Sequence, residues 1–190
     1  MTRMFAAVLP PEPVKEDLAE FLQPRAEHPW IDPEQWHITL AFLAQVNDAR
    51  LDELLDGLRA AGRRRSPMTL RLHGAGAFPD PVQAKVLWLD IAASAADREE
   101  LHRLSTNVRR TAAHAGAPPD GKDFRPHLTV SRLKRPGQQL DWLDVLSTYD
   151  GSPWQATDFA LIESHLGEGP RGRPRYEIVE RFPLLGDRTD

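Results

Sequence analysis

Apolar and polar residues alternate with a period of two in residues 36–43 and 127–133, and recur every three to four positions in several segments around them. Residues 4–9 form a short apolar run stopped by Pro10-Pro11, which predicts a buried strand. Pro13 suits a helix start, and Val14, Leu18, Phe21 and Leu22 share a stripe before Pro24. Asn47 is placed to cap a helix whose Leu51, Leu54, Leu55 and Leu58 face one way and which ends near Gly62. Residues 68–77 and 84–91 predict two strands around Pro79-Asp80-Pro81. A helix over 97–114 carries Leu101, Leu104 and Val108 and meets Gly116. The strand over 127–133 follows, then a short helix over 140–146. Two closing strands, 154–165 and 175–182, are joined by a segment rich in Gly and Pro.

Strand, helix, alternating strand, helix, strand is therefore written twice. This predicts an α+β fold with internal pseudo-twofold symmetry: antiparallel-rich sheets, helices on the outside, and the two alternating strands facing each other across a central cleft. No linker or low-complexity tract separates the halves, so residues 1–190 are expected to form one bilobal domain.

The alternating strands share a motif, His37-Ile38-Thr39-Leu40 in one and His127-Leu128-Thr129-Val130 in the other. Residues two apart on a strand point to the same face, so each strand offers an imidazole beside a hydroxyl, backed by apolar residues. A lone His in an apolar strand is more often a packed residue than a catalyst. Of the seven histidines, however, only His37 and His127 have Thr two positions on. Two such strands in one cleft would hold two proton-transfer groups and two hydroxyl donors, equipment for metal-free displacement at phosphorus.

Composition removes several competitors. The chain has no Cys, which excludes disulfides, thiol nucleophiles and thiolate metal sites. His-x-Thr lacks the spacing of paired metal ligands, and neither motif has a carboxylate on its face; no metal and no cofactor are expected. There is no Gly-x-Ser-x-Gly elbow. A net charge of -4 argues against coating nucleic acid but allows a ligand with one or two phosphates. Arg63-Arg64-Arg65 and Arg109-Arg110 fall at predicted helix C-termini, where the dipole accounts for them. The cations around His127 are better placed to meet substrate. Arg125 shares the face of His127 on a continuous strand, whereas Arg132 faces away by strict alternation and would reach the cleft only through a local irregularity. Phe42 and Trp88 read as core; Phe124, Trp36 and Tyr176 flank loops or strand ends, where packing is favoured over stacking on a nucleobase. No apolar run is long enough to span a bilayer, and Met1-Thr2-Arg3 leads into a strand without a secretory pattern, so a cytoplasmic protein is expected.

The two His-x-Thr motifs, the opening Arg3-Met4-Phe5-Ala6-Ala7-Val8, the segments 36–43 and 124–132, and Ser164-His165-Leu166-Gly167 together resemble the two-histidine (2H) phosphoesterases. Within them the chain is most similar to the bacterial and archaeal RNA 2′,3′-cyclic phosphodiesterases, historically called 2′-5′ RNA ligases. The resemblance implies a bilobal fold and metal-independent opening of a terminal 2′,3′-cyclic phosphate to a 2′-phosphate, with weak reverse 2′-5′ ligation. It further implies His37 as proton donor, His127 as proton acceptor, and Thr39 and Thr129 as phosphate-binding residues; the residues themselves add Arg125 and Arg132 as candidate phosphate clamps. Expected partners are RNA ends or nucleotides bearing the cyclic phosphate, with no required protein partner and a monomeric state. Two departures from the family pattern stand out: Ser131 where Ala is common, with no effect expected, and a longer segment over 167–174, which bears on substrate size and access. Alternatives from the same residues are a phosphodiesterase of 2′-5′ oligonucleotides or of an ADP-ribose cyclic phosphate, and a non-catalytic module that binds nucleotides or RNA ends.

Overall fold

The strands that carry the two motifs are neighbours in one antiparallel sheet. The computed structural model describes residues 1–188. Among these it has β1 (Thr2–Val8), α1 (Glu12–Leu22), β2 (Ile38–Val46), α2 (Leu51–Arg64), β3 (Met68–Phe78), β4 (Ala84–Ala92), α3 (Ala95–His114), β5 (His127–Gly137), α4 (Leu140–Ser147), β6 (Trp154–Ala156), β7 (Asp158–His165) and β8 (Arg175–Pro183). The strand order is β6-β3-β4-β5-β2-β1-β7-β8.

The expected elements form, but two connections differ from the sequence reading. The segment 154–165, expected to be one strand, breaks at Thr157. Its first part pairs with β3 at one edge of the sheet, and its second pairs with β1 in the other half. A single residue bridges those positions, so the sheet must curl. The chain halves also do not build one side each. β1 and β2 are flanked by β7 and β8, while β3 to β6 make up the other side. The cause lies in β1, which is buried on both faces from Met4 onward and has a partner along each edge, β2 and β7.

One face of the sheet takes the helices. Val14, Leu18 and Leu22 of α1, Leu54 and Leu58 of α2, Leu101, Leu104 and Val108 of α3, and Leu143 and Leu146 of α4 pack with Ile38, Leu40, Leu87, Leu128 and Val130 in the main core. The caps follow the sequence: Asn47 Oδ1 accepts from Ala49 N in a single 3₁₀ turn ahead of α2, and Ser94 Oγ accepts from Asp97 N to open α3. The opposite face carries a smaller cluster, Phe5, Ala7, Ala160 and Ile162, with Phe42 and Tyr176 against it. Among the described residues, no helix is long and apolar enough to cross a membrane.

Candidate active site

β2 and β5 meet at a single registered pair, Ile38 opposite Leu128, with both side chains in the main core. Antiparallel geometry then sets His37 opposite Thr129 and Thr39 opposite His127, all four on the other face. The two histidines occupy diagonal corners of this square, with Cα atoms separated by about 7–8 Å. That spacing leaves room between the imidazoles for a tetrahedral anion.

Each motif strand carries a β-bulge directly after its Thr. Between β1 and β2 the register passes from Ala6↔Ala41 to Ala7↔Thr39, leaving Leu40 as the extra residue. Between β4 and β5 it passes from Leu87↔Ser131 to Trp88↔Thr129, leaving Val130. The carbonyls at both bulges are satisfied from outside the ladder: Leu40 O accepts from Ser105 Oγ at 2.7 Å, and Val130 O accepts from Ile31 N at 2.8 Å. The consequence is a change of phase. Ser131 turns inward and is fully buried, while Arg132 comes round to line the same cavity as Thr39, His127 and Thr129. The local irregularity that Arg132 needed is thus present.

Both imidazoles are held in the same way. His37 Nδ1 donates to Gln35 O at 2.8 Å, and His127 Nδ1 donates to Arg125 O at 2.6 Å. A carbonyl only accepts, so the neutral tautomer has its proton on Nδ1 and leaves Nε2 with a lone pair. Each ring also sits against two aromatic side chains. His37 lies 4.5 Å from Phe5 and meets Tyr176 edge-on at 5.6 Å. His127 meets Phe78 edge-on at 5.0 Å and lies 5.9 Å from Trp88. Burial therefore pushes both pKa values down, that of His37 to about 4, against the opposing effect of the carbonyl hydrogen bonds; Arg132 lowers both further. In the free protein both shifts favour the uncharged ring.

The His127 side opens into a cavity of about 740 Å³ lined by Thr39, Phe42, Phe124, Arg125, Thr129 and Arg132, among others. His37 lines a different cavity of about 510 Å³, together with Gln35 and Tyr176, which shares no lining residue with the first. Arg125 lies just before β5 rather than on it, with its guanidinium 5.0 Å over the Trp88 ring. Trp88 is buried as expected, yet against His127 rather than in the main core. Gly76 makes room for it, since a Cβ there would meet the indole at 2.2 Å.

Several assignments need correction. Phe42, read as core, is turned onto the cleft face by the bulge at Leu40. Arg109, read as serving only the helix dipole, reaches across to donate to Lys122 O at 3.0 Å and so fixes the loop that walls the larger cavity. Ser131, where the family pattern commonly has Ala, donates to Pro29 O at 3.1 Å and accepts from His28 Nε2 at 2.8 Å, which ties the 28–31 loop to the β5 bulge. Packing, the reading favoured for Trp36 and Phe124, is what the structure has: Trp36 is core, and Phe124 is partly buried edge-on against His102. The 167–174 segment is tied to the His37 side, because Gln35 Nε2 donates to Pro174 O at 2.6 Å and Arg173 approaches Asp32 at 3.6 Å. Among the described residues, no group of three or more His, Cys, Asp or Glu side chains is placed to hold a metal ion.

A model of the 2′-5′ RNA ligase superfamily matches residues 10–168 of the chain. The RNA 2′,3′-cyclic phosphodiesterase of Aquifex aeolicus (strain VF5) is 30% identical over 160 residues, covering 83% of this chain and 82% of that protein. Among solved structures, TT0787 of Thermus thermophilus aligns with a TM-score of 0.78 at 29% identity, over 98% of this chain and 100% of that one. Escherichia coli LigT complexed with 3′-AMP aligns with a TM-score of 0.71 at 26% identity, over 96% and 98%.

Proposed function

The chain belongs to the 2′-5′ RNA ligase superfamily, and on that footing we propose that it is a metal-independent RNA 2′,3′-cyclic phosphodiesterase, converting a terminal cyclic phosphate to a 2′-phosphate. The observation that carries this reading is the diagonal pair of imidazoles, each with Nδ1 committed to a carbonyl and Nε2 left for proton transfer. The cyclic phosphate lies between them. His127 takes a proton from water as its oxygen attacks phosphorus, the P–O3′ bond breaks, and His37 gives a proton to O3′. Thr39 and Thr129 donate to the non-bridging oxygens, and Arg125 and Arg132 offset the charge that accumulates there. Proton exchange with solvent restores both rings. The donor and acceptor roles follow the family resemblance. The complex of LigT with 3′-AMP supports a ligand of this size. With the 5′-hydroxyl of a second RNA in place of water, the same attack on phosphorus and the same P–O3′ cleavage give weak 2′-5′ ligation of RNA ends.

The pseudo-twofold reading is part of the proposal. It rests on the paired bulges, the matching Nδ1 contacts and four strands on either side of the β2–β5 boundary. One bilobal domain, acting as a monomer in the cytoplasm, completes the picture.

The electrostatics set a pH dependence. Productive chemistry needs one imidazole protonated and the other neutral, while burial holds both pKa values below 6.5 in the free protein. Above both values the singly protonated form declines tenfold per pH unit, so kcat/KM, which reports the free protein, should already be falling with rising pH through neutrality. A bound phosphate anion raises both values, so the alkaline limb of kcat should lie at higher pH. Initial rates from pH 4 to 9 at low and saturating substrate check this; a kcat/KM that is flat from pH 6 to 8 contradicts it.

The function itself is tested by incubating EDTA-treated protein with a short RNA ending in 2′,3′-cyclic phosphate. Full turnover is expected. Binding without turnover would point to an RNA-end module, and activity that returns only with an added divalent ion would point to a metal site.

A further inference from the structure

We infer that Arg3 forms a second phosphate subsite, which takes the phosphodiester immediately upstream of the terminal nucleotide. Along β1, Met4, Ala6 and Val8 enter the main core, whereas Phe5 and Ala7 lie on the cleft face. Alternation puts Arg3 on the face of Phe5. Its guanidinium lies 4.3 Å over the ring of Phe42, and Phe42 lines the cavity that holds Thr39, His127 and Arg132. The Tyr176 hydroxyl, on the ring that meets His37 edge-on, feels the charges of both Arg3 and Arg132.

Distance and chemistry set what Arg3 reaches. Phe5 is 4.5 Å from His37, and Arg3 stands two residues further along the strand, about 7 Å away. The guanidinium leans back over Phe42, which is registered opposite Phe5, so its charge stands at the edge of the cavity that Phe42 lines. A substrate ending in a cyclic phosphate has its next phosphate only on the 5′ side of the terminal nucleoside, so the group that arrives at Arg3 is that diester. Stacking on Phe42 occupies the face of the guanidinium and leaves its N–H edge to donate, in a position already restricted before binding. Elsewhere in this half of the sheet, the arginines of β8 are paired with carboxylates: Arg175 with Glu168 at 2.9 Å and Arg181 with Asp158 at 3.5 Å. Among the described residues Arg3 makes no ion pair.

The subsite rests on the cyclic phosphodiesterase reading, and the experiment separates the two. KM is measured for a cyclic mononucleotide, and for a dinucleotide and a trinucleotide ending in 2′,3′-cyclic phosphate. In the wild type, KM should fall roughly five- to tenfold from one nucleotide to two, the scale of one partly exposed charged contact, and change little from two to three. Arg3→Gln should bring the one-to-two ratio close to unity, and Arg3→Lys should restore part of it. A dinucleotide with an uncharged methylphosphonate linkage, assayed on the wild type, should behave like the mononucleotide whatever the stability of the variants. An undiminished ratio in Arg3→Gln, an undiminished gain with the uncharged linkage, or equal KM values for one and two nucleotides in the wild type overturns the subsite alone. No turnover of any of these substrates by the wild type overturns the subsite and the function together.

Discussion

His37→Ala and His127→Ala are each expected to lower turnover of a 2′,3′-cyclic phosphate by roughly 10²–10⁴-fold, the range of a positioned acid or base. Each substitution removes one of the two rings whose Nε2 is left for proton transfer while leaving the main core intact, because both histidines lie on the face opposite Ile38 and Leu128. Circular dichroism of either variant should match the wild type. Because the two rings act in one step, the double variant should be little worse than the poorer single one. Thr39→Ala and Thr129→Ala should be milder, as each deletes a hydrogen bond to phosphate and no proton transfer. Near wild-type turnover in either folded His variant would remove the two-histidine mechanism.

Arg132→Ala is expected to cost roughly 10²-fold in kcat, the scale of losing one donor aimed at developing charge. The expectation comes from the bulge at Val130, which brings Arg132 onto the cleft beside Thr129 and His127. There its guanidinium shares a cavity with His127 and with the hydroxyls of Thr39 and Thr129 that would hold the phosphate. Arg132→Lys should recover only part of the loss, since an ammonium cannot span two phosphate oxygens as a guanidinium does. Steady-state kinetics that separate kcat from KM decide it; a kcat within threefold of wild type would leave Arg132 as a surface cation.

The placement of the candidate site residues was legible in the sequence because it depends on short-range alternation. His-x-Thr puts both groups on one strand face whatever the tertiary context, and the apolar partners Ile38 and Leu128 do pack in the core. The elements were legible for the same reason, down to the Asn47 cap. What escaped was long-range. A bulge has no signature in Thr39-Leu40-Ala41 or Thr129-Val130-Ser131, yet it reverses the phase beyond it, so strict alternation misplaces Phe42, Ser131 and Arg132 together. The break at Thr157 and the seating of β7 beside β1 follow from where β1 finds its second neighbour, which local periodicity does not encode. Arg109 is a similar case: its position near the end of α3 accounts for its charge, and only the fold brings Asp120 and Lys122 within reach.

The most direct test of the account is the identity of the phosphate left after the wild-type protein opens a short RNA ending in 2′,3′-cyclic phosphate. If His37 and His127 hold fixed roles at opposite corners of the cleft, water enters only opposite O3′ and one ribose oxygen leaves. The predicted product is a 2′-phosphate alone, untouched by an enzyme specific for 3′-phosphates. A mixture of 2′- and 3′-phosphates, or a 3′-phosphate alone, would contradict the distinct acid and base roles given to His37 and His127.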